Sequence, residues 1–237
     1  ITFEKYQGTG NDFIIIDDWR QEFPVKDKQY IQHLCTRKFG VGADGLMLLQ
    51  PHDEVDFRMV YFNSDGKLGS MCGNGGRCIA HFAWQKGYAG DKMTFAAADG
   101  FHQATINEQD ISLSMQPVYG FQRDGEAYVL DTGSPHYVSF LVDNSSIDVK
   151  NSGQSVRYSE QYRDEGINVN FVQEVGKGLI NVRTYERGVE DETLSCGTGV
   201  VAAAVAYFFD NGKEQGNPPA INVNTLGGEL SVSFELA

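Results

Sequence analysis

The chain is short of positive charge. Its 19 lysines and arginines face 32 aspartates and glutamates, a formal net charge of −13 over 237 residues. A surface this acidic repels phosphate backbones and anionic lipid, which excludes nucleic acid and membrane surfaces as partners. Long apolar runs are missing too. The longest, Val200–Phe209, is about half of the roughly 20 residues a membrane-crossing helix needs. Ile1-Thr2-Phe3-Glu4-Lys5 has neither the basic nor the apolar region of a secretion signal, so a cytoplasmic location is expected. Cysteine is scarce. Cys35, Cys72, Cys78 and Cys196 fit no disulfide framework in such a compartment, and Cys72 and Cys78 lack the matching second pair of a zinc site. Thiol chemistry or plain burial is left for them.

What is present is an ordinary globular composition, 41% hydrophobic and 22% charged, with apolar residues spread along the whole chain. The length suits two domains of about 100 residues each, or one large one. Short strand-like runs dominate: Phe13–Ile16, Leu46–Leu49, Phe57–Phe62, a hairpin of Gln103–Ile106 and Ile111–Met115 across Asn107-Glu108-Gln109-Asp110, then Tyr137–Val142, Asn168–Val172, Leu179–Tyr185, Ile221–Val223 and Leu230–Phe234. Helical spacing is rarer. Ile31, Leu34 and Cys35 recur with it ahead of Gly40, and two longer segments run from Gly75 to Gly87 and from Gly199 to Gly212.

The two longer segments form an internal repeat. Cys72-Gly73-Asn74-Gly75 opens the first and Cys196-Gly197-Thr198-Gly199 the second. Each follows a strand that ends in aromatic and polar residues, Tyr61-Phe62-Asn63 and Thr184-Tyr185-Glu186. The copies are offset by 123 residues at Asn63 and Glu186 and by 124 at the cysteines. The expected fold is therefore α/β (α+β), built of two pseudo-symmetric halves, 1–116 and 117–237, meeting near Gln116-Pro117. Each half would be a strand-rich, barrel-like sheet around a central helix, and the second helix, apolar all round, reads as buried.

A single buried cysteine is more often inert core than catalyst, and Cys35 and Cys78 sit in apolar helical patterns that suit burial. Cys72 and Cys196 each precede a glycine-rich turn that opens a helix, where backbone N–H groups and the positive helix end stabilise a thiolate. The same glycines let an anion approach those N–H groups. No Gly-Lys-Ser/Thr ending follows, which excludes a P-loop, and a carboxylate is the better-fitting anion. Gly40-Val41-Gly42-Ala43-Asp44-Gly45 matches a dinucleotide-binding pattern in letters only. It follows a helix and precedes a strand, the reverse of the required order, and reads as a loop bordering the site.

Lys5-Tyr6-Gln7-Gly8-Thr9-Gly10-Asn11-Asp12-Phe13, Met71-Cys72-Gly73-Asn74-Gly75-Gly76-Arg77-Cys78, Tyr185-Glu186-Arg187-Gly188 and Ser195-Cys196-Gly197-Thr198-Gly199 together resemble the diaminopimelate epimerase family, in order over nearly the whole chain. The resemblance implies that family's fold of two similar halves and conversion of LL- to meso-diaminopimelate without pyridoxal phosphate, metal or other cofactor. It implies Cys72 and Cys196 as the acid/base thiols and His136 and Glu186 as residues that tune them. Asn11, Asn63, Gly73, Asn74, Asn168, Glu186, Arg187, Gly197 and Thr198 match substrate-binding positions. Read without the family, His136 is a satisfied loop histidine and Asn11 an Asx turn. Three features depart from the family pattern: Ser134 stands where Asn is frequent, Gly45 where some members carry Gln, and the chain stops at Phe234-Glu235-Leu236-Ala237, ahead of the strands that usually follow.

Inversion at an amino-acid α-carbon needs a base on one face and an acid on the other, which a thiolate and a thiol supply. The expected partner is a small-molecule amino acid, and a homodimer is left open. The nearest alternative is the same chemistry on proline, hydroxyproline or histidine; Asn74 disfavours it by resemblance, since proline-type racemases tend to carry His there. A cysteine hydrolase using His136 would leave the duplicated Cys-Gly turn unexplained and lacks a local hydrolase signature. A non-catalytic binding module with idle cysteines is the third alternative.

Overall fold

The computed structural model describes residues 1–69, 71–107, 110–212 and 219–236. The chain divides into two compact units, Ile1–Ser114 and Met115–Ala237. The first contains β1 (Glu4–Gly8), β2 (Asn11–Asp17), α1 (Lys28–Cys35), β3 (Gly45–Gln50), β4 (Phe57–Asn63), α2 (Gly73–Gln85), β5 (Lys92–Ala97), β6 (Gly100–Ile106) and β7 (Ile111–Leu113). Its strands form one sheet in sequence order. β2 with β3 and β4 with β5 run parallel, each pair joined through a helix, and the other neighbours are antiparallel.

The second unit contains β8 (Phe121–Asp124), β9 (Ala127–Asp131), β10 (Pro135–Phe140), α3 (Val149–Arg157), β11 (Asn168–Gly176), β12 (Leu179–Glu186), β13 (Asp191–Thr193), α4 (Gly197–Asp210), β14 (Ile221–Thr225) and β15 (Gly228–Val232). The sheet order is β15-β14-β12-β11-β10-β9-β8, with β13 on β12. Here too two parallel pairs, β10 with β11 and β12 with β14, enclose the helices. The repeat holds in register. Adding 123 to a residue number carries the β2–β3 pair Phe13 and Gly45 onto the β10–β11 pair His136 and Asn168, and the β3–β4 pair Met47 and Tyr61 onto the β11–β12 pair Asn170 and Thr184.

Strand alternation explains the layering. In β2 and β3, Phe13, Ile15, Met47 and Leu49 pack inward with Ile79, Phe82 and Ala83 of α2, while Ile14, Ile16, Leu46 and Leu48 pack outward with Ile31 and Cys35 of α1. β3 is covered on both faces, which is why it reads as an unbroken apolar run. In the second unit Val138, Val172, Ile180 and Val182 pack against the alanines of α4, and Val169, Phe171 and Tyr185 against Val149 on the α3 side. Each sheet curls about its central helix: α2 touches strands from β1 to β7, and α4 from β9 to β15.

The expected fold class is the fold found, and several elements are additions to it. β1, β5, β8, β9 and β13 lie outside the strand runs read from sequence, as does α3, a mostly polar helix whose narrow core-facing stripe is Val149, Gly153 and Val156. Asp148 caps α3 by accepting from the Asn151 N–H. Gly153 sits inside it because a Cβ there would lie 2.3 Å from the Tyr185 Cβ. β6 and β7 form the expected hairpin, ending at Leu113 rather than Met115; Glu108 and Gln109 of its turn, like Ala237, lie outside the described residues.

Candidate active site

In the first unit Cys72 is the N-cap of α2, with extended backbone (φ −113°, ψ 119°), and its carbonyl accepts the first helical hydrogen bond from the Gly76 N–H at 2.7 Å. The thiol is half-buried, while Gly73, Asn74, Gly75 and Gly76 are buried. A first helical turn has no carbonyls ahead of its N–H groups, so this end is electropositive. Asn74 turns its amide across to the start of β2. Its Nδ2 donates to Asn11 Oδ1 at 2.6 Å, and its Oδ1 accepts from Thr9 Oγ1 at 2.9 Å and Arg77 Nη2 at 2.7 Å.

Asn11 is held from the other side by Asp44, whose Oδ2 accepts from Asn11 Nδ2 at 3.2 Å and from the Asp12 N–H at 3.1 Å. Arg37 clamps Asp12 through two nitrogens, at 3.1 and 2.6 Å, and reaches Asp44 at 2.9 Å. Lys5 adds an ion pair to Asp12 at 2.7 Å and donates to the Gly42 carbonyl. Burial alone would raise the Asp12 pKa; Arg37 and Lys5 outweigh it and hold the carboxylate well below its usual range. The Gly40–Gly45 segment thus borders the Asn11 position through Asp44. Asn63, exposed at the end of β4, pairs in register with Gly45. A Cβ on Gly45 would lie 2.4 Å from the Tyr61 ring, so the glutamine of other family members has no room there.

The second unit repeats the cap. Cys196 precedes α4 with φ −119° and ψ 112°, and its carbonyl accepts from the Val200 N–H at 2.9 Å. Cys196 is buried, at 8% exposure. Beneath this helix start lies a polar layer. His136 Nε2 is 2.9 Å from Thr198 Oγ1, which is 3.5 Å from Cys196 Sγ, and His136 Nδ1 is 3.1 Å from Asn170 Nδ2. Burial, and then the Arg187 charge, push the His136 pKa down to about 3, so the ring is neutral at physiological pH. Asn168 Nδ2 donates to Ser134 Oγ at 2.9 Å and to the Pro135 carbonyl at 3.1 Å, and its Oδ1 accepts from the Arg187 N–H at 2.9 Å. Ser134 also receives Arg187 Nη2 at 3.3 Å, so its hydroxyl serves this cluster where an Asn is frequent. Glu186 ends β12, next to Arg187.

Two sets of expected residues therefore come together, Asn11, Cys72, Gly73 and Asn74 in one unit, and His136, Asn168, Arg187, Cys196, Gly197 and Thr198 in the other. Cys35 and Cys78 are core residues. Burial raises their pKa values to about 11 and about 12, which keeps both as thiols. Thr9, Asp44, Arg77, Asn170 and Thr184 were not read from sequence as site residues. Asn170 had a signal: in Asn168-Val169-Asn170-Phe171-Val172 it is a second polar residue on one face of a strand that is otherwise apolar.

Two α/β units of matching register, each curled about a central helix, make up a fold that the chain shares with solved PhzF-family and proline racemase-type structures. Solved structures similar to the chain include a phenazine biosynthesis protein of the PhzF family from Bacillus anthracis (TM-score 0.72, 13% identity, 97% of this chain and 87% of that one). A probable proline racemase from Agrobacterium radiobacter is also similar (TM-score 0.65, 14% identity, 97% and 84% covered). Within this architecture the chain belongs to the diaminopimelate epimerase family, whose profile matches residues 3–119 and 128–236. A diaminopimelate epimerase of Flavobacterium psychrophilum is 52% identical over 231 residues, 97% of this chain and 89% of the relative. One of Aquifex aeolicus is 39% identical over 252 residues, covering 98% and 89%.

Proposed function

We propose that the chain is an isomerase of the cytoplasm that interconverts LL- and meso-diaminopimelate, with Cys72 and Cys196 as the acid/base pair. Family membership supports the substrate. The observation that carries the chemistry is the duplicated cap: both units begin a central helix on a glycine-rich turn with a cysteine at the N-cap. A thiolate there is stabilised by the helix end. One sulfur removes the α-proton and the other, as a thiol, returns a proton to the opposite face, so that proton count and charge are conserved over the turnover. Negative charge spreading onto the substrate carboxylate is met by the N–H groups of Gly73, Asn74, Gly197 and Thr198.

Selectivity for a diamino diacid is assigned to Asn11, Asn63, Asn168, Glu186 and Arg187, because an α-carboxylate alone distinguishes no amino acid from another. A site built from paired polar groups penalises a ligand that leaves them unpaired. The test is α-deuteration in heavy water, followed by NMR, on LL-diaminopimelate, L-lysine, L-proline and L-histidine separately. Exchange confined to diaminopimelate is expected. Faster exchange on proline or histidine would move the chain to the sister racemases, and exchange on none would make it a binding protein.

A further inference from the structure

The polar layer beneath α4 has a direction, and the direction can be worked out from its fixed end. The Tyr137 carbonyl can only accept, and Asn170 Nδ2 lies 3.2 Å from it. Asn170 Oδ1 accepts from Thr184 Oγ1 at 3.0 Å. The Asn170 amide is thereby oriented, and the group facing His136 Nδ1 at 3.1 Å is its nitrogen, which can only donate. His136 Nδ1 must then be an acceptor without a proton, and a neutral ring carries its proton on Nε2. That N–H points at Thr198 Oγ1, 2.9 Å away. Having accepted from the ring, the Thr198 hydroxyl keeps its own proton for donation to Cys196 Sγ, 3.5 Å away, whenever that sulfur is a thiolate. His136 and Asn170 are 0% exposed and Thr184 3%, so water does not compete for the bonds among these three, while Thr198 is half-buried.

We propose that Asn170, held by Tyr137 and Thr184, is a positioning residue that locks His136 in the Nε2–H tautomer, making the ring a permanent donor, through Thr198, to the Cys196 sulfur. This inference rests on Cys196 being one of the two reacting thiols. It changes the role of His136, which is then a fixed hydrogen-bond donor that favours thiolate over thiol at Cys196. The contrast is with a Ser-His-Asp arrangement, where a carboxylate accepts from Nδ1–H and leaves Nε2 ready to take a proton. An amide donor at Nδ1 does the reverse. No proton travels along the chain of bonds; when Cys196 gains or loses its proton in turnover, the ring protons stay where they are. The layer also accounts for Gly199. A Cβ there would lie 2.4 Å from Asn170 Oδ1 and 3.3 Å from His136 Cε1, so only glycine lets the first turn of α4 rest on it.

The test needs no turnover. Long-range proton–nitrogen NMR correlations of the ring in the full chain, labelled with 15N and assigned by loss of the signal in His136→Gln, report which nitrogen carries the proton. A protonated Nε2 and a bare Nδ1 are expected at neutral pH; a proton on Nδ1 overturns the proposal. Asn170→Asp keeps the shape and, once ionised, offers Nδ1 only acceptors, so Nδ1 should become protonated at a pH where that carboxylate is charged, and an unchanged ring there in the folded variant would overturn it. If that variant does not fold, the wild-type tautomer still decides. Coupling to sulfur is read by alkylation of Cys196 with iodoacetamide at fixed pH. Thr198→Val should slow it about tenfold, the equivalent of one pKa unit, and Thr198→Ser should restore it. Equal rates in the Val and Ser variants would remove the link to the sulfur. Were these results obtained and no amino acid deuterated, the proposed catalytic role of Cys196 would fail and the tautomer assignment would stand.

Discussion

The two helix starts share a backbone and differ in what lies under it. At Cys72 and Cys196 the cap angles agree within a few degrees, φ −113° and −119°, ψ 119° and 112°. Beneath them, equivalent register positions hold Phe13, Met47 and Tyr61 in one unit and His136, Asn170 and Thr184 in the other. Gly75 of α2 faces the Met47 sulfur, where Gly199 of α4 faces the Asn170 amide. The duplicated part is what any thiolate or carboxylate needs, an open helix end. The diverged part gives each sulfur different surroundings: Arg77 on the helix itself in the first unit, and neutral hydrogen bonds from His136 through Thr198 in the second.

If both caps serve one reaction, removing either thiol should do comparable damage. Cys72→Ala and Cys196→Ala are each expected to lower LL- to meso-diaminopimelate conversion by about 10²–10⁴-fold, the usual size of a lost acid/base group. A variant within tenfold of wild type would show that its sulfur is dispensable and that the duplication is structural only.

The glycines sharpen the comparison next. A methyl at Gly199 meets an amide held by His136, Tyr137 and Thr184, so Gly199→Ala should destabilise the protein by about 1–3 kcal/mol in denaturant unfolding, as overpacking does. At Gly75 the nearest atom is the Met47 sulfur at 3.1 Å, the end of a flexible side chain, and alanine is the better helix former. Gly75→Ala should therefore stay within about 1 kcal/mol of wild type. Equal losses would mean that the two layers are equally rigid.

How much of this was legible in the sequence follows the same division. The repeat, the caps and the apolar strands leave signals in residue order: Cys72-Gly73 and Cys196-Gly197, the 123-residue offset, and the unbroken run of β3. Family resemblance extended the site to Asn11, Asn168 and Arg187; read locally, Asn11 is an Asx turn and Asn168 only the first residue of a strand. Arg77 was read only as a letter of the cysteine motif, and Asn170 and Thr184 only as strand residues. Their partners lie far along the chain: Asn170 meets His136 across 34 residues and Arg77 meets Thr9 across 68. Helix α3 went unseen because its helix-breaking Gly153 is demanded by Tyr185, a tertiary contact that overrides local propensity.

The layers should also differ in their response to acid. His136 has a folded-state pKa of about 3, below its ordinary 6.5. Between those values the unfolded chain binds a proton that the folded chain refuses, so stability rises with pH across this window. The contribution is fully present above about pH 6.5 and is lost as pH falls toward 3. Phe13, in the equivalent place of the first unit, cannot titrate. Denaturant unfolding of His136→Gln between pH 7 and 4 should show a shallower decline than wild type; parallel curves would show that the buried ring does not titrate as assigned.

The smallest expected effect concerns Arg77, which has no counterpart under α4, where the offset of the cysteines places Val201. Its Nη2 is spent on Asn74 Oδ1 and Thr9 Oγ1, and no carboxylate pairs with it among the described residues. Burial lowers its pKa, and negative charge on Cys78 and then Cys72 would raise it again. That coupling is reciprocal: a cation that feels the Cys72 thiolate also favours it. Arg77→Gln keeps a donor for Asn74 and removes the charge. Alkylation of Cys72 by iodoacetamide should slow by about two- to tenfold at fixed pH, with Cys196 unchanged. Because Cys72 is half-buried, salt should screen part of the effect, and the gap between wild type and variant should narrow at high ionic strength. Slowing of both cysteines alike would point to a general loss of order in the variant. No change at Cys72 would leave the helix start as the source of its reactivity, and the two sites would then differ in one tuning device instead of two.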